Sequence, residues 1–173
     1  NSEYNRALLS NRSVGSTIKP LLYYLALKYG MTPETFLSCK QTVFKIDGFE
    51  MYSPSNASNV YANKPINMIE AIALSDNIYA TKTLLYVGFN RFTNLLKKFD
   101  FNGKCVPSSA LGVDETTLIN LTSIYNCFAS LGMYYKPRII TKITDSNGVV
   151  LYKSIEESYK KLEKPYVYIL NQL

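Results

Sequence analysis

The longest uninterrupted apolar run of the chain follows a proline, and this indicates where a buried helix must start. The run spans residues 21–27, between Pro20 and Gly30. Proline is tolerated only in the first turn of a helix, where its missing N–H has no intrahelical partner, and glycine often ends a helix. The pattern predicts a helix that begins near Ser16 and stops at Gly30. A membrane span needs about 20 apolar residues, so this shorter run is typical of a helix in a protein core.

Helix signals recur along the rest of the sequence. Thr32 and Pro33 form a cap-then-proline pair that predicts a short helix. Asn67 caps a further helix, with Glu70 as its capping-box partner. The remaining predicted helices cover residues 78–87, residues 90–99 with Asn90 as the cap, residues 117–131, and the segment from Pro165 to the last residue.

A single β-hairpin interrupts this helical pattern. Residues 138–144 alternate as a strand, and Asn147-Gly148 is a tight-turn pair before residues 149–152. Two strands alone are not stable in water, so we expect that the part that covers them lies outside this sequence. The 173 residues, 47% of them hydrophobic, suit one domain. The sequence therefore predicts a mostly α fold with a β-hairpin.

The chain contains no histidine. This excludes a Ser-His-Asp triad, a Cys-His dyad and a His-ligated zinc or iron site. A general base must then be a lysine, an acidic residue or a tyrosine. Cys39, Cys105 and Cys127 lack CxxC spacing, and we interpret them as small buried hydrophobic residues with at most one disulfide among them. We expect no metal and no cofactor.

The net charge of +6 raises the question of an anionic partner. A basic balance can serve nucleic acid, a membrane surface or an anionic wall polymer. The lysines are scattered, however, and only Lys97-Lys98 and Lys160-Lys161 are adjacent. We therefore do not expect nucleic-acid binding.

Ser16 and Lys19 stand three residues apart where the first helix begins. That spacing puts both side chains on one face of a helix, close enough for a direct hydrogen bond. A serine nucleophile needs a base to remove its proton, and lysine is the available substitute for histidine. Burial can make that lysine partly neutral, and backbone N–H groups at the helix start can stabilise an oxyanion.

A second Ser-x-x-Lys match tests how specific this pattern is. It runs from Ser158 to Lys161, and chance alone predicts about one or two matches in such a chain. Its surroundings at residues 156–161 are polar and charged, so nothing there would lower the pKa of the lysine. We predict that Ser158 and Lys161 are surface residues without function.

The triplet Ser75-Asp76-Asn77 is a second candidate site. Taken alone, it is better interpreted as a cap between two helices. The functional interpretation is a hydroxyl at Ser75 that relays a proton and an amide at Asn77 that holds a substrate carbonyl.

Together, these segments resemble the transpeptidase domain of penicillin-binding proteins, most closely the bifunctional class A enzymes. The nucleophile motif matches GSTIKP at residues 15–20, after NRA at residues 5–7, and the second motif matches SDN within AIALSDNIYA at residues 71–80. YSPSN at residues 52–56, ALG at residues 110–112, LTSIYNCFASLG at residues 121–132 and the hairpin after Pro137 also fit. The resemblance spans residues 4–173 and implies the helical part of the α/β penicillin-recognising, β-lactamase-like fold.

The resemblance also implies a role for each matched position. Ser16 would be the acylated nucleophile and Lys19 its general base. Ser75 would pass a proton toward the leaving amine, and Asn77 would hold the substrate amide. Asp76 matches the motif, and we assign it a structural role.

The third motif of these enzymes, Lys-Thr/Ser-Gly on a sheet strand, is missing from the sequence. Lys82-Thr83 is followed by Leu84, and Lys153-Ser154 is followed by Ile155. We therefore expect residues 1–173 to be a partial transpeptidase domain that lacks the N-terminal strands and the third-motif strand.

The implied activity is peptidoglycan D,D-transpeptidation, the cross-linking of wall stem peptides through an acyl-serine. Its partners would be D-Ala-D-Ala stem peptides and β-lactam antibiotics, at the outer face of the bacterial cytoplasmic membrane. Contact with the membrane would come only through parts of the parent protein outside this chain. The alternatives are a non-catalytic penicillin sensor or wall-peptide-binding module, and a serine β-lactamase or D,D-carboxypeptidase of the same superfamily.

Overall fold

The computed structural model describes residues 3–102 and 104–173 of the chain. In these ranges the chain is rich in helices and has only short strands. The helices are α1 (Arg6–Leu9), α2 (Lys19–Lys28), α3 (Met68–Ala73), α4 (Asn77–Val87), α5 (Phe89–Lys97), α6 (Leu118–Ala129) and α7 (Lys164–Leu170). Three 3-10 helices cover Gly15–Ile18, Ala57–Asn59 and Pro107–Leu111.

The strands pair two by two, and every pair is antiparallel. The pairs are β1 (Arg12–Ser13) with β4 (Glu115–Thr116), β2 (Leu37–Ser38) with β3 (Pro65–Ile66), β5 (Met133–Tyr135) with β8 (Ser158–Lys160), and β6 (Lys142–Thr144) with β7 (Val150–Lys153). The mostly α fold class is confirmed. Only the β6–β7 hairpin was predicted, because the other pairs join strands of two or three residues that lie far apart in sequence.

Helix α2 is the central element of the core, as the apolar run predicts. Its residues from Leu21 to Leu27 are all buried, and it packs against α3, α4 and α7. A helix that is apolar on all sides needs protein around it on all sides. The ring of Tyr23 meets that of Tyr79 in α4 edge-on, with centroids 5.9 Å apart. Pro20 lies in the first turn, where its missing N–H costs nothing.

Helices α3 and α4 follow each other with a sharp turn between them. Asn67 caps α3 through a hydrogen bond from the N–H of Glu70, and the Glu70 carboxylate accepts from the N–H of Asn67, so the predicted capping box is confirmed. Asp76 caps α4 by accepting the N–H of Tyr79 at 2.7 Å. The turn thus brings Ser75, Asp76 and Asn77 to the start of α4.

Several sequence predictions of helices were wrong, and α6 ends at Ala129 rather than at residue 131. The pair Thr32-Pro33 opens a turn rather than a helix, since the Thr35 hydroxyl caps the N–H of Thr32 and no further turn follows. Helix α5 starts at Phe89 with Gly88 as its cap, because Gly88 takes the positive φ that the junction with α4 requires. Helix α7 ends at Leu170, before the last residue.

The predicted hairpin is present, but its first strand begins at Lys142 rather than at residue 138. Asp145 Oδ1 accepts the N–H groups of Asn147 and Val149 at 2.9 Å, and Gly148 has φ +83°. Both strands are exposed along their length. None of the described helices is long and apolar enough to cross a membrane.

Candidate active site

The ammonium of Lys19 joins the two sequence motifs. Its Nζ donates to the backbone oxygen of Ser75 at 2.6 Å, to Ser75 Oγ at 3.0 Å and to Oδ1 of Asn77 at 2.6 Å. A lysine ammonium has three N–H donors, so each donor has an acceptor. Ser75 and Asn77 follow Lys19 by 56 and 58 positions in the sequence, and the packing of α2 on α4 brings them into contact with it.

Ser16 lies one turn before Lys19, in the 3-10 helix Gly15–Ile18, and it is exposed. The spacing predicts a direct hydrogen bond between Ser16 and Lys19, but the hydrogen bonds of the described residues do not include one. The physical reason is that the three protons of the ammonium already bind oxygens of Ser75 and Asn77. Lys19 is therefore oriented by the second motif, and Ser16 stays open to solvent.

Burial changes the charge state of Lys19. The residue is 3% exposed, and burial lowers the pKa of its ammonium from 10.5 to about 8, while the negative charge of Asp76 opposes that shift. At pH 7 about one-tenth of the molecules then carry the free amine. A base that is partly neutral near physiological pH is what proton abstraction from a serine requires.

The hydroxyl of Ser75 is the one acceptor around Lys19 that can also donate. A backbone carbonyl and an amide oxygen only accept, whereas a serine hydroxyl does both. When Lys19 is neutral, Ser75 Oγ–H can donate to the lone pair on Nζ. Ser75 is exposed and has φ +51°, a conformation uncommon for serine, and the two hydrogen bonds from Lys19 hold it there.

The backbone around Ser16 is held from outside its own helix. The N–H of Gly15 donates to the oxygen of Gly112 at 2.9 Å, and the hydroxyl of Tyr125 donates to the oxygen of Thr17 at 2.9 Å. Gly112 has φ +76°, and a Cβ there would lie 2.0 Å from the Gly15 oxygen. Only glycine at position 112 permits this approach.

Asn77 is fixed by Ser55 and Asn56, two residues to which the sequence motifs assigned no role. Its Nδ2 donates to the backbone oxygen of Ser55 at 2.6 Å, and its N–H donates to Oδ1 of Asn56 at 2.7 Å. The YSPSN segment at residues 52–56 carries the only sequence signal for these contacts.

The second Ser-x-x-Lys match lies elsewhere. Ser158 is exposed in β8, as predicted. Lys161 is half-buried, with Nζ 3.6 Å from the ring centroid of Tyr134 and 5.0 Å from that of Phe99, so its description as a surface residue was wrong. These rings cover the side chain from solvent, and burial lowers the pKa of Lys161. An extended strand turns successive side chains to opposite faces, so the helical spacing argument does not apply here.

Cys39, Cys105 and Cys127 are free thiols and all are buried, as predicted. They take no part in the hydrogen bonds around Lys19.

Comparisons with known proteins identify the family of the chain. The family model for the penicillin binding protein transpeptidase domain matches residues 2–167. Penicillin-binding protein 2D of Bacillus subtilis is 39% identical over 171 residues, which cover 97% of this chain and 25% of that protein. Penicillin-binding protein 1A of Aquifex aeolicus is 37% identical over 167 residues, covering 95% and 23%.

Solved structures show the same fold. The crystal structure of penicillin-binding protein 1A from Haemophilus influenzae matches with a TM-score of 0.82 at 29% identity, covering 91% of this chain and 24% of that one. Penicillin-binding protein A from M. tuberculosis, solved as an imipenem acyl-enzyme complex, matches with a TM-score of 0.85 at 14% identity, covering 98% and 44%. That second likeness concerns the fold alone.

The match of the family model covers nearly the whole chain, and the chain spans about a quarter of the length of the curated relatives it matches. The chain therefore belongs to the penicillin-binding protein transpeptidase domain family, whose penicillin-recognising fold it shares.

Proposed function

We propose that this chain carries the acylation machinery of a peptidoglycan D,D-transpeptidase with Ser16 as the nucleophile. The observation that carries the proposal is the buried Lys19, held by Ser75 and Asn77 one turn after an exposed serine. Membership of the transpeptidase family supplies the reaction class.

The proposed reaction gives each of these residues the role that the resemblance to the family implies. Lys19 in its free-amine form takes the proton of Ser16 Oγ, and the oxygen attacks the carbonyl of the penultimate D-Ala of a stem peptide. Ser75 passes a proton to the leaving D-Ala amine as the peptide bond breaks, which leaves an acyl-Ser16 ester. An amine of a neighbouring stem peptide then attacks the ester and releases Ser16. A β-lactam would acylate the same oxygen, because it offers a similar carbonyl.

Asn77 is the proposed holder of the substrate amide. Its Oδ1 faces Lys19, and its Nδ2 uses one hydrogen on the oxygen of Ser55. An amide nitrogen has two hydrogens, so the second hydrogen on Nδ2 remains for a substrate carbonyl.

The third motif is proposed to come from parts of the parent protein outside these residues. Thr83 is buried in α4 and bonds the oxygen of Tyr79, so Lys82-Thr83 is part of a helix rather than a sheet strand. Losing one oxyanion donor typically costs about 100- to 1000-fold in rate. We therefore expect residues 1–173 alone to acylate very slowly, and the parent protein to acylate readily. We also propose that the parent works at the outer face of the bacterial cytoplasmic membrane, with its anchor outside these residues.

The test is incorporation of a labelled penicillin into the parent protein that carries this chain. Wild type should label, and Ser16→Ala should not. Ser158→Ala is the matched control, since it removes the serine of the other Ser-x-x-Lys match, and it should label as wild type does. Undiminished labelling of Ser16→Ala would refute the assignment.

A turnover assay then separates the alternatives. A transpeptidase forms cross-linked peptide from two stem peptides, whereas a sensor labels without product. A β-lactamase or a carboxypeptidase hydrolyses its acyl-enzyme instead. Labelling at Ser16 without cross-linked product would overturn the proposed activity while leaving the nucleophile in place.

A further inference from the structure

Asn56 bonds to two consecutive residues at the start of α4, and the second of them binds Lys19. Its Nδ2 donates to Oδ2 of Asp76 at 2.7 Å, and its Oδ1 accepts the N–H of Asn77 at 2.7 Å. Asn56 is half-buried and Asp76 is 2% exposed. Both bonds are short and part-buried, so water replaces them poorly.

The chemistry of the partners gives each amide a single workable orientation. An ionised carboxylate only accepts, and a backbone N–H only donates. The NH2 of Asn56 must therefore face Asp76, and its oxygen must face the N–H of Asn77. By the same reasoning, the NH2 of Asn77 faces the Ser55 oxygen, which leaves its Oδ1 toward the Lys19 ammonium.

The contacts form a chain from Asn56 to the proposed base. Asn56 holds the backbone of Asn77, and Oδ1 of Asn77 binds Lys19 at 2.6 Å. Asn56 also occupies Oδ2 of Asp76, while Oδ1 of Asp76 caps α4. A shift of Asn56 would thus move both the start of α4 and an acceptor of Lys19.

We propose that Asn56 is a positioning residue for acylation, which holds Asp76 and Asn77 in the geometry that fixes the Lys19 ammonium at the start of α4. The inference rests on the proposed function, because its effect is defined through Lys19 as the base. It adds a residue from the loop before α3 to a site otherwise built from α2 and α4.

Two single variants break the link in different ways. Asn56→Ala removes both hydrogen bonds. Asn56→Asp keeps an acceptor for the N–H of Asn77 but sets a carboxylate against that of Asp76, and like charges at hydrogen-bond distance repel. Each should lower the penicillin acylation rate constant of the folded parent protein about 10- to 100-fold, since small displacements at a reacting site cost this much.

The exchange variant Asn56→Asp with Asp76→Asn should restore the rate. The carboxylate at position 56 then accepts from the amide at position 76 and from the N–H of Asn77. The amide oxygen at position 76 still accepts the N–H of Tyr79. Both hydrogen bonds at position 56, the cap of α4 and the net charge are retained, although the donor of the 56–76 pair is reversed. Asn63→Asp, an exposed position later in the same loop, controls for the added charge and should acylate as wild type does.

The rate is measured per folded molecule, with the free energy of unfolding determined separately. The inference is supported if both single variants acylate slowly and the acylation rate constant of the exchange variant lies within about threefold of that of the wild type. Single variants at the wild-type rate, or a folded exchange variant that stays slow, overturn it. If the single variants do not fold, the exchange variant decides alone by the same criterion. Ser16→Ala in the same series separates the two proposals. If Ser16→Ala loses labelling while the Asn56 variants acylate at the wild-type rate, only the role of Asn56 is rejected.

Discussion

The ammonium of Lys19 donates a 2.6 Å hydrogen bond to Oδ1 of Asn77, and this contact ties the first turn of α2 to the first turn of α4. Lys19 is almost fully buried there, although lysine is among the residues least often found inside proteins. The three oxygens around Nζ replace its lost water. Burial still disfavours the charged form, and a lowered pKa is the consequence.

The pH dependence of acylation should report Lys19. Because burial lowers its pKa to about 8, the free amine is scarce at low pH. We expect the acylation rate constant to rise about ninefold from pH 6 to 7 and about fivefold from pH 7 to 8, and to level off above about pH 9. Rates of labelled-penicillin incorporation from pH 6 to 10 would measure this.

Lys161→Gln is the control for that profile, because burial also lowers the pKa of Lys161 and it lies away from Ser75 and Asn77. Its profile should match the wild type. A wild-type rate that is flat between pH 6 and 8 would contradict Lys19 as the base.

Gly112→Ala should destabilise the protein strongly. A methyl group there would lie 2.0 Å from the Gly15 oxygen, and alanine at φ +76° is strained as well. We expect a loss of roughly 3 kcal/mol or more in the free energy of unfolding, from overpacking together with backbone strain. Acylation should fall too, since Gly15 precedes Ser16.

Gly148→Ala is the control for this variant. Gly148 has a similar φ of +83°, but there is open space around the added methyl group. It should cost only about 1 kcal/mol, from backbone strain alone. Urea unfolding of the two variants gives the comparison, and equal losses would mean that the Gly112–Gly15 contact contributes nothing.

The three thiols should resist alkylation in the folded protein. Cys39, Cys105 and Cys127 are buried, and burial raises the pKa of Cys39 and Cys105 to about 12 and that of Cys127 to about 11. The thiolate is the reactive form, so iodoacetamide at pH 8 should modify them only after unfolding in urea. Mass spectrometry counts the added groups.

Ser146→Cys provides the exposed reference in the hairpin turn. Its thiol should react in the native protein within minutes while the three natural thiols do not. Native modification of any natural cysteine at a similar rate would contradict its burial.

Asn67→Ala should weaken the start of α3. It removes the acceptor for the N–H of Glu70 and with it half of the capping box. We expect a loss of about 1 kcal/mol in the free energy of unfolding. Asn94→Ala, at an exposed position inside α5, should change it by less than about 0.5 kcal/mol. Equal changes in the free energy of unfolding for the two variants would show that the Asn67 cap does not stabilise the protein.

Local signals in the sequence were enough for several elements. The apolar run after Pro20 predicted the buried α2, and Asn67 with Glu70 predicted the start of α3. The Asn147-Gly148 pair predicted the β6–β7 hairpin. Each of these signals acts within a few residues along the chain, so spacing alone reveals it. The helix predicted from Thr32-Pro33 was wrong, because the same cap chemistry also stabilises a turn and no apolar helix face follows it to be buried.

The sequence by itself excluded a histidine base and left a lysine, an acidic residue or a tyrosine, and it singled out Ser16, Lys19, Ser75 and Asn77 as candidate site residues. Only the tertiary structure decided that Lys19 binds Ser75 and Asn77 rather than Ser16, and that Asn56 holds Asn77. Those contacts join positions 21 to 58 residues apart, and no local spacing encodes them. They form because the apolar surfaces of α2 and α4 pack together, which brings the polar first turns of both helices to one place, where a buried ammonium must find acceptors.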